Sequence, residues 1–333
     1  MSQRTSEASE QVDGADSVEM MLEQGGLTYT VPGDQRDPRP LWSEWVLTNG
    51  LGGYAMGTAA GMPTRRYHGL LVAAMRPPVE RVVALSAVAE RFVIGSGTDN
   101  EREWHLTPFQ FRDAPAWPLV PGCGFTFQKS PGRCVWSYSL DIEGSPRARV
   151  DKELVFFRDQ NTVALRYKAS GIDQSWWLDL RPLVALRDFH SLLRRERFDS
   201  RYHTRVLENG VLCATREAGV HLTGDGLAFH AKNEHWRSIA YVWEDLRGVD
   251  SVESLLCPGV FFAGREDGSD AEVTLWASVD AMTPSTIEDE RSASHGRAIG
   301  LADAAAAHAG GDAIDADDRL ALQRLAVAGG GGG

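Results

Sequence analysis

The sequence predicts an all-β fold: a large antiparallel sandwich followed by a short C-terminal helical linker. Three observations predict it. Apolar residues recur at every second position from about Leu27 to Ser278. Turn chemistry interrupts these runs at short intervals. Helix-like composition is scarce until about residue 284.

Taken in order, residues 1–18 are polar and acidic and predict a loose tail that cannot bury enough apolar area to order itself. Residues 19–282 are expected to form the sandwich, since two packed sheets readily use some 250 residues as one domain. Within it Cys134, Trp136, Tyr138, Leu140 and Ile142 alternate with polar residues, as a half-buried strand requires. Val163, Leu165 and Tyr167 repeat the pattern, and so do Trp176, Leu178 and Leu180, which leave Trp177, Asp179 and Arg181 on the opposite face. Ile239, Tyr241 and Trp243 read as another such run, and Val273 and Leu275 as the last. Pro131-Gly132 precedes the Cys134 strand, and Gly224-Asp225-Gly226 separates two apolar triplets. Asn209-Gly210 between Val206-Leu207 and Val211-Leu212 predicts a type I′ hairpin. Residues 283–333 form the linker segment: 284–310 are rich in Ala, Glu, Asp and Arg, Asp315 is placed to cap a helix from Ala316 to Ala328, and five glycines close the chain.

Composition narrows the function. The net charge of -12 repels phosphates, which argues against nucleic acid and anionic membranes as partners. Four cysteines, Cys123, Cys134, Cys213 and Cys257, lie far apart with no metal-ligand spacing, so reduced thiols in a cytoplasmic protein are expected, with no metal and no cofactor. The N-terminal residues lack the basic start and apolar run of a signal peptide. Ten tryptophans and an acidic surface suit a neutral polar ligand such as a sugar.

The densest segment runs from Trp42 to Leu71. Six glycines, at 50, 52, 53, 57, 61 and 69, flank Trp42, Trp45, Asn49, Tyr54, Arg65, Arg66, Tyr67 and His68. Glycine lets a backbone turn tightly or approach a surface; aromatic faces stack on sugar rings, and Arg and His donate to hydroxyls. Gly50-Leu51-Gly52-Gly53 is a near miss to a dinucleotide fingerprint, without its third glycine or its βαβ setting, and no phosphate-loop lysine follows.

Glu44-Trp45, Thr48-Asn49-Gly50-Leu51-Gly52-Gly53-Tyr54, Gly57-Thr58 and Thr64-Arg65-Arg66-Tyr67-His68-Gly69-Leu70-Leu71 together resemble the opening signature of bacterial and archaeal glycogen debranching enzymes. Arg181-Pro182-Leu183 with Arg187-Asp188-Phe189-His190, and Trp243-Glu244 with Arg247-Gly248 and Cys257-Pro258-Gly259, resemble later stretches of the same family. The resemblance covers about residues 27–280. It implies an N-terminal β supersandwich of the glucoamylase-related group, preceding an (α/α)₆ barrel whose carboxylates hydrolyse α-1,6 branch points of glycogen. The expected partners are therefore α-glucan and that barrel. No such barrel follows here, where the chain runs into its glycines, so a non-catalytic domain is expected. The substrate-binding or barrel-contact candidates are Trp45, Asn49, Tyr54, Arg65, Arg66, Tyr67 and His68.

Glycoside hydrolysis needs two carboxylates flanking the scissile bond. Glu44, Glu90, Asp188 and the Glu244-Asp245 pair are the carboxylates of interest, and each reads as a solvated or salt-bridged surface group. No catalytic residue is assigned. Two alternatives remain. One is a sugar mutarotase, which needs His105 or His190 to converge with a Glu such as Glu244. The other is a glucan-binding module using Trp42, Trp45, Tyr54 and Tyr67 as platforms.

Overall fold

The computed structural model describes residues 20–21, 27–31, 39–112, 123–194, 201–280 and 286–308. The expected tail at 1–18 and the expected helix Ala316–Ala328 lie outside the described residues. The chain opens with β1 (Met20–Met21), β2 (Leu27–Val31) and the single turn α1 (Arg39–Trp42). It continues through β3 (Glu44–Thr48), β4 (Tyr54–Thr58), β5 (Gly69–Arg76), β6 (Val79–Ile94) and β7 (Arg102–His105). The middle supplies β8 (Cys123–Ser130), β9 (Arg133–Leu140), β10 (Arg149–Phe156), β11 (Thr162–Ser170) and β12 (Trp176–Asp188). The last part supplies β13 (His203–Leu207), β14 (Gly210–Ala214), β15 (Gly219–Asp225), β16 (Ala228–Ala240), the short α2 (Val242–Leu246), β17 (Val252–Arg265), β18 (Ala271–Ser278) and α3 (Ile287–His308).

The strands form two antiparallel sheets, as the alternation predicts. One has ten strands in the order β1-β2-β8-β9-β10-β11-β18-β15-β14-β13; the other has eight, β16-β17-β12-β6-β5-β4-β3, with β7 paired to β6. Their facing sides supply one continuous core. Cys134, Trp136, Tyr138 and Leu140 of β9 point into it, as do Trp176, Leu178 and Leu180 of β12. The core also holds charge. Lys152 of the ten-stranded sheet meets Glu90 of the eight-stranded sheet at 2.5 Å, both buried, and the Tyr167 hydroxyl donates to the same carboxylate oxygen at 2.9 Å. Burying two charges is costly unless they pair and are hydrogen-bonded, so this contact pins the facing sheets in one register.

Helix α3 lies on the outer side of the ten-stranded sheet. Ile287 joins a small cluster of Val155, Phe157 and Ala164, and Arg291 reaches Glu153 at 3.4 Å. No described helix is long and apolar enough to cross a membrane.

Three sequence expectations change. The Ile239-Tyr241-Trp243 run is not a continuous strand: β16 ends at Ala240 and the chain turns into α2, which removes Trp243 from the core. The hairpin expected at Asn209-Gly210 forms in another register. Leu207 faces Gly210 and Val206 faces Val211, so Glu208 and Asn209 are the central pair, and neither Asn209 nor Gly210 has a positive φ. Gly210 serves a close approach instead, since a Cβ there would meet the Leu222 carbonyl oxygen at 2.0 Å. Finally, Glu90 and Glu244 are not surface carboxylates; both are buried and ion-paired.

Candidate functional site

The Gly-rich segment builds a hairpin and the loop after it. In the β3–β4 turn, Asn49 accepts hydrogen bonds at Oδ1 from the backbone N–H groups of Leu51 and Gly53, both at 3.0 Å. Its Nδ2 donates to the Gln160 carbonyl at 2.9 Å and to Asn161 Oδ1 at 3.2 Å. One buried amide thus ties the turn of one sheet to the β10–β11 turn of the other. Gly52 has φ +93°, and a Cβ there would meet Pro78 O at 2.7 Å. Trp45 is 3% exposed; its indole N–H donates to Thr58 O at 2.9 Å and its ring meets Trp136 edge-on at 5.7 Å. Trp45 and Asn49 are therefore interior groups that present no face to a ligand. Trp42, by contrast, is 58% exposed.

Arg65, Arg66, Tyr67 and His68 follow in the β4–β5 loop and meet residues from far along the chain. Arg65 Nε donates to Glu44 Oε1 at 2.5 Å, and its guanidinium lies over the Trp243 ring at 5.3 Å. Arg66 donates to Glu244 Oε2 at 3.3 Å, to the Asp250 carbonyl at 3.0 Å and to the His190 carbonyl at 3.2 Å. The Tyr67 hydroxyl lies 3.3 Å from His190 Nδ1, and its ring packs edge-on against Phe189 at 5.7 Å. Tyr54 stands below, its hydroxyl donating to the Tyr67 carbonyl at 3.0 Å; burial pushes its phenol up to about 12.

His68 is buried, and both its ring nitrogens are engaged. Nδ1 accepts from the Thr64 N–H at 3.0 Å, which fixes the proton on Nε2, and Nε2 donates to Glu44 Oε1 at 3.1 Å. Burial pushes the imidazole below its ordinary value, against the pull of Glu44. The hydrogen bond from His68, helped by Arg65, holds the Glu44 carboxyl low. Glu44 is therefore a persistent carboxylate, unsuited to donate a proton.

Behind the loop sits a pair that the sequence did not single out as a unit. Arg187 at the end of β12 makes a two-pronged ion pair with Glu253 of β17, through Nε and Oε1 and through Nη2 and Oε2, the latter at 2.9 Å. Its remaining donors reach the carbonyls of Arg66 at 2.9 Å, Asp188 at 3.2 Å and Phe189 at 3.3 Å. Glu253 also accepts from the Leu193 N–H at 3.0 Å and from the Tyr241 hydroxyl at 2.5 Å. Burial opposes the Arg187 charge, but Glu253 beside it holds the guanidinium above its ordinary value. The residue before it, Leu186, has φ +47°, rare for a branched side chain. The signal for Glu253 was an acidic residue heading the apolar run Leu255-Leu256-Cys257, but its partner stands 66 residues away.

The corner joins three separate parts of the chain: the Gly-rich segment, the end of β12, and α2 with the start of β17. It offers an arginine, two aromatic rings and hydroxyl-bonding groups near the surface. It is poor in acid–base chemistry. His190 and Glu244 both approach Arg66, but Glu244 is closed to solvent, and His105 lies elsewhere beside Glu103 at 3.3 Å. Among the described residues no group of three His, Cys, Asp or Glu side chains is arranged to hold a metal.

Comparison with known proteins gives three findings. No curated protein matches the chain. Among solved structures, heparan sulfate lyase HepC from Pedobacter heparinus is 10% identical with TM-score 0.30, over 51% of this chain and 24% of that one. A polysaccharide lyase, BACCELL_00875, is 14% identical with TM-score 0.26, over 84% of this chain and 34% of that one. The 4-alpha-glucanotransferase from Thermococcus litoralis is 10% identical with TM-score 0.25, over 79% and 39%. The chain thus spans between a quarter and two fifths of these proteins, and at such TM-scores no common overall fold is defined. The family comparison is of another kind, because residues 43–271 match the model described as "Glycogen debranching enzyme N terminal". That span runs from the start of β3 to the start of β18 and contains all three parts of the corner, and on it the chain belongs to the glycogen debranching enzyme N-terminal family.

Proposed function

We propose that this chain is the non-catalytic N-terminal domain of a glycogen debranching enzyme of the amylo-α-1,6-glucosidase kind. Residues 19–282 form the domain, and 283–333 lead toward a helical catalytic barrel. The corner of Arg65, Arg66, Tyr67 and His68 packs on that barrel and helps wall the groove that holds the α-glucan. One observation supports this above the others: three stretches of the family signature, far apart in sequence, meet at one corner, where Arg66 bonds both Glu244 and His190. Exposed apolar groups stand on two of the same stretches, Trp42 just before β3 and Leu246 and Val249 after Glu244, as a docking surface would have.

The chemistry itself belongs to the barrel. Hydrolysis of a glycosidic bond needs one carboxyl able to give a proton and a second carboxylate across the bond. Here Glu44 is held low by His68 and Arg65, and Glu244 is sealed behind Arg66. The four buried, unpaired cysteines suit a reducing, cytoplasmic setting. The test is glucose release from a phosphorylase limit dextrin by this chain alone. None is expected, and sustained turnover would overturn the assignment of the chemistry to another domain.

A further inference from the structure

The outer face of the eight-stranded sheet carries a second cluster, remote from the corner. β12 sends Trp176, Leu178 and Leu180 inward and leaves Trp177, Asp179 and Arg181 outward. Trp177 is 37% exposed. Its cross-strand partner on β17 is Gly264, and the indole lies over that residue: a Cβ there would come within 2.4 Å of the ring. The neighbouring strand thus supports the indole, which keeps about a third of its surface, 37%, open to solvent.

Two residues further on, about 7 Å along the strand, Asp179 stands between two arginines. Its Oδ2 accepts from Arg91 Nε at 3.1 Å, from Arg91 Nη2 at 2.9 Å and from Arg181 Nη2 at 3.4 Å. Arg91 Nη1 also reaches Glu103 at 3.3 Å. Two guanidiniums and two carboxylates cancel, so the array is rich in fixed donors and acceptors but carries no net charge. Half-buried Phe262 stands opposite Asp179.

We infer that this face is a binding site for a neutral polysaccharide, with a pyranose ring stacked on Trp177 and hydroxyls bonded to the Arg91–Asp179–Arg181 array. An apolar ring beside a charge-neutral polar ladder matches the two surfaces of a sugar, an apolar face and a rim of hydroxyls. Sulfated or phosphorylated chains do not fit, because Arg91 and Arg181 are already matched by Asp179 and Glu103 and the whole chain carries -12. Trp177 and Asp188 mark opposite ends of β12, eleven residues apart and so roughly 35 Å by strand geometry. The site is separate from the corner and holds whether or not the corner docks a barrel.

Oxidative footprinting of the intact chain, read by mass spectrometry with and without glycogen, tests it. Oxidation of Trp177 is expected to fall at least fivefold with saturating glycogen. Trp42 reports the corner separately, so failure at one site is distinguishable from failure at the other. Unchanged oxidation of Trp177 overturns the inference, as does protection by heparin in place of glycogen. Protection that grows with protein concentration in the absence of glycan marks a protein contact and also overturns it. In gels containing glycogen, Trp177→Ala is expected to lose most of the wild-type retardation, while Val206→Ala, at an exposed position on β13 of the ten-stranded sheet, keeps it; a Trp177→Ala variant retarded like wild type contradicts the site.

Discussion

Arg187 and Glu253 form an ion pair closed to solvent, and the guanidinium that makes it also bonds the carbonyls of Arg66, Asp188 and Phe189. The end of β12, the start of β17 and the Gly-rich loop are thereby held by one side chain.

Replacing Arg187 by Met leaves the Glu253 carboxylate buried without its cation. The expected loss is about 3–5 kcal/mol, the usual cost of breaking a buried pair from one side. Arg187→Met with Glu253→Gln in the same chain is expected to recover part of that loss. Urea unfolding of the two variants against wild type checks both statements.

The Lys152–Glu90 contact predicts similar behaviour at the centre of the sandwich. Lys152→Met alone is expected to cost about 3–5 kcal/mol, because Glu90 is left charged between the sheets. Adding Glu90→Gln removes the orphaned charge and is expected to restore stability by more than half. A double variant no more stable than the single one would show that Lys152 acts through the contact of its ammonium with the Trp136 ring.

His68 gives the fold a pH dependence of known sign. Its folded-state value lies below the ordinary 6.5, so the unfolded chain takes up the proton first. Stability from this group is complete above about pH 6.5 and is lost as the pH falls from there toward the folded value. Glu44 is also held low, but from an ordinary value of 4.5, so its share is lost only at still lower pH. The melting temperature is expected to fall between pH 7.5 and pH 5. His68→Gln is expected to flatten that slope while lowering the plateau.

Gly52 and Asn49 set the turn beneath the corner. Gly52→Ala forces a side chain into φ +93° and against Pro78, with an expected cost of about 1–3 kcal/mol. Asn49→Ala leaves the N–H groups of Leu51 and Gly53 without their acceptor, with a similar expected cost. Thermal unfolding reads both, and an Asn49→Ala melting curve equal to wild type would remove the turn's organising role from that side chain.

Much of the sandwich was legible because its strands are half-buried and alternate cleanly. Cys134 to Leu140 and Trp176 to Leu180 show the same faces in the sequence and in the fold. What was illegible depended on partners distant in the chain. Trp45 and Trp42 look alike in sequence, yet one is core and the other is exposed, because only the first meets Trp136 across the sandwich. Lys152 occupies an inward position between Val150 and Leu154, and nothing local shows that Glu90 waits opposite. Asn209-Gly210 does mark a hairpin, but Glu208 and Asn209 make the turn, since the glycine answers the approach of β15. At the corner the motif located Arg65 to His68, while the clamp that holds them, Arg187 with Glu253, emerged only when the strands were brought together.

The most direct test of the proposed role uses a debranching enzyme of this family that carries both parts on one chain. The side chains matching Arg65 and Tyr67, which reach the surface of the corner, are replaced together by alanine, and glucose release from a limit dextrin is measured alongside the melting temperature. The account predicts at least a tenfold loss in kcat/KM with the N-terminal domain still folded. Wild-type kcat/KM in that double variant would contradict it.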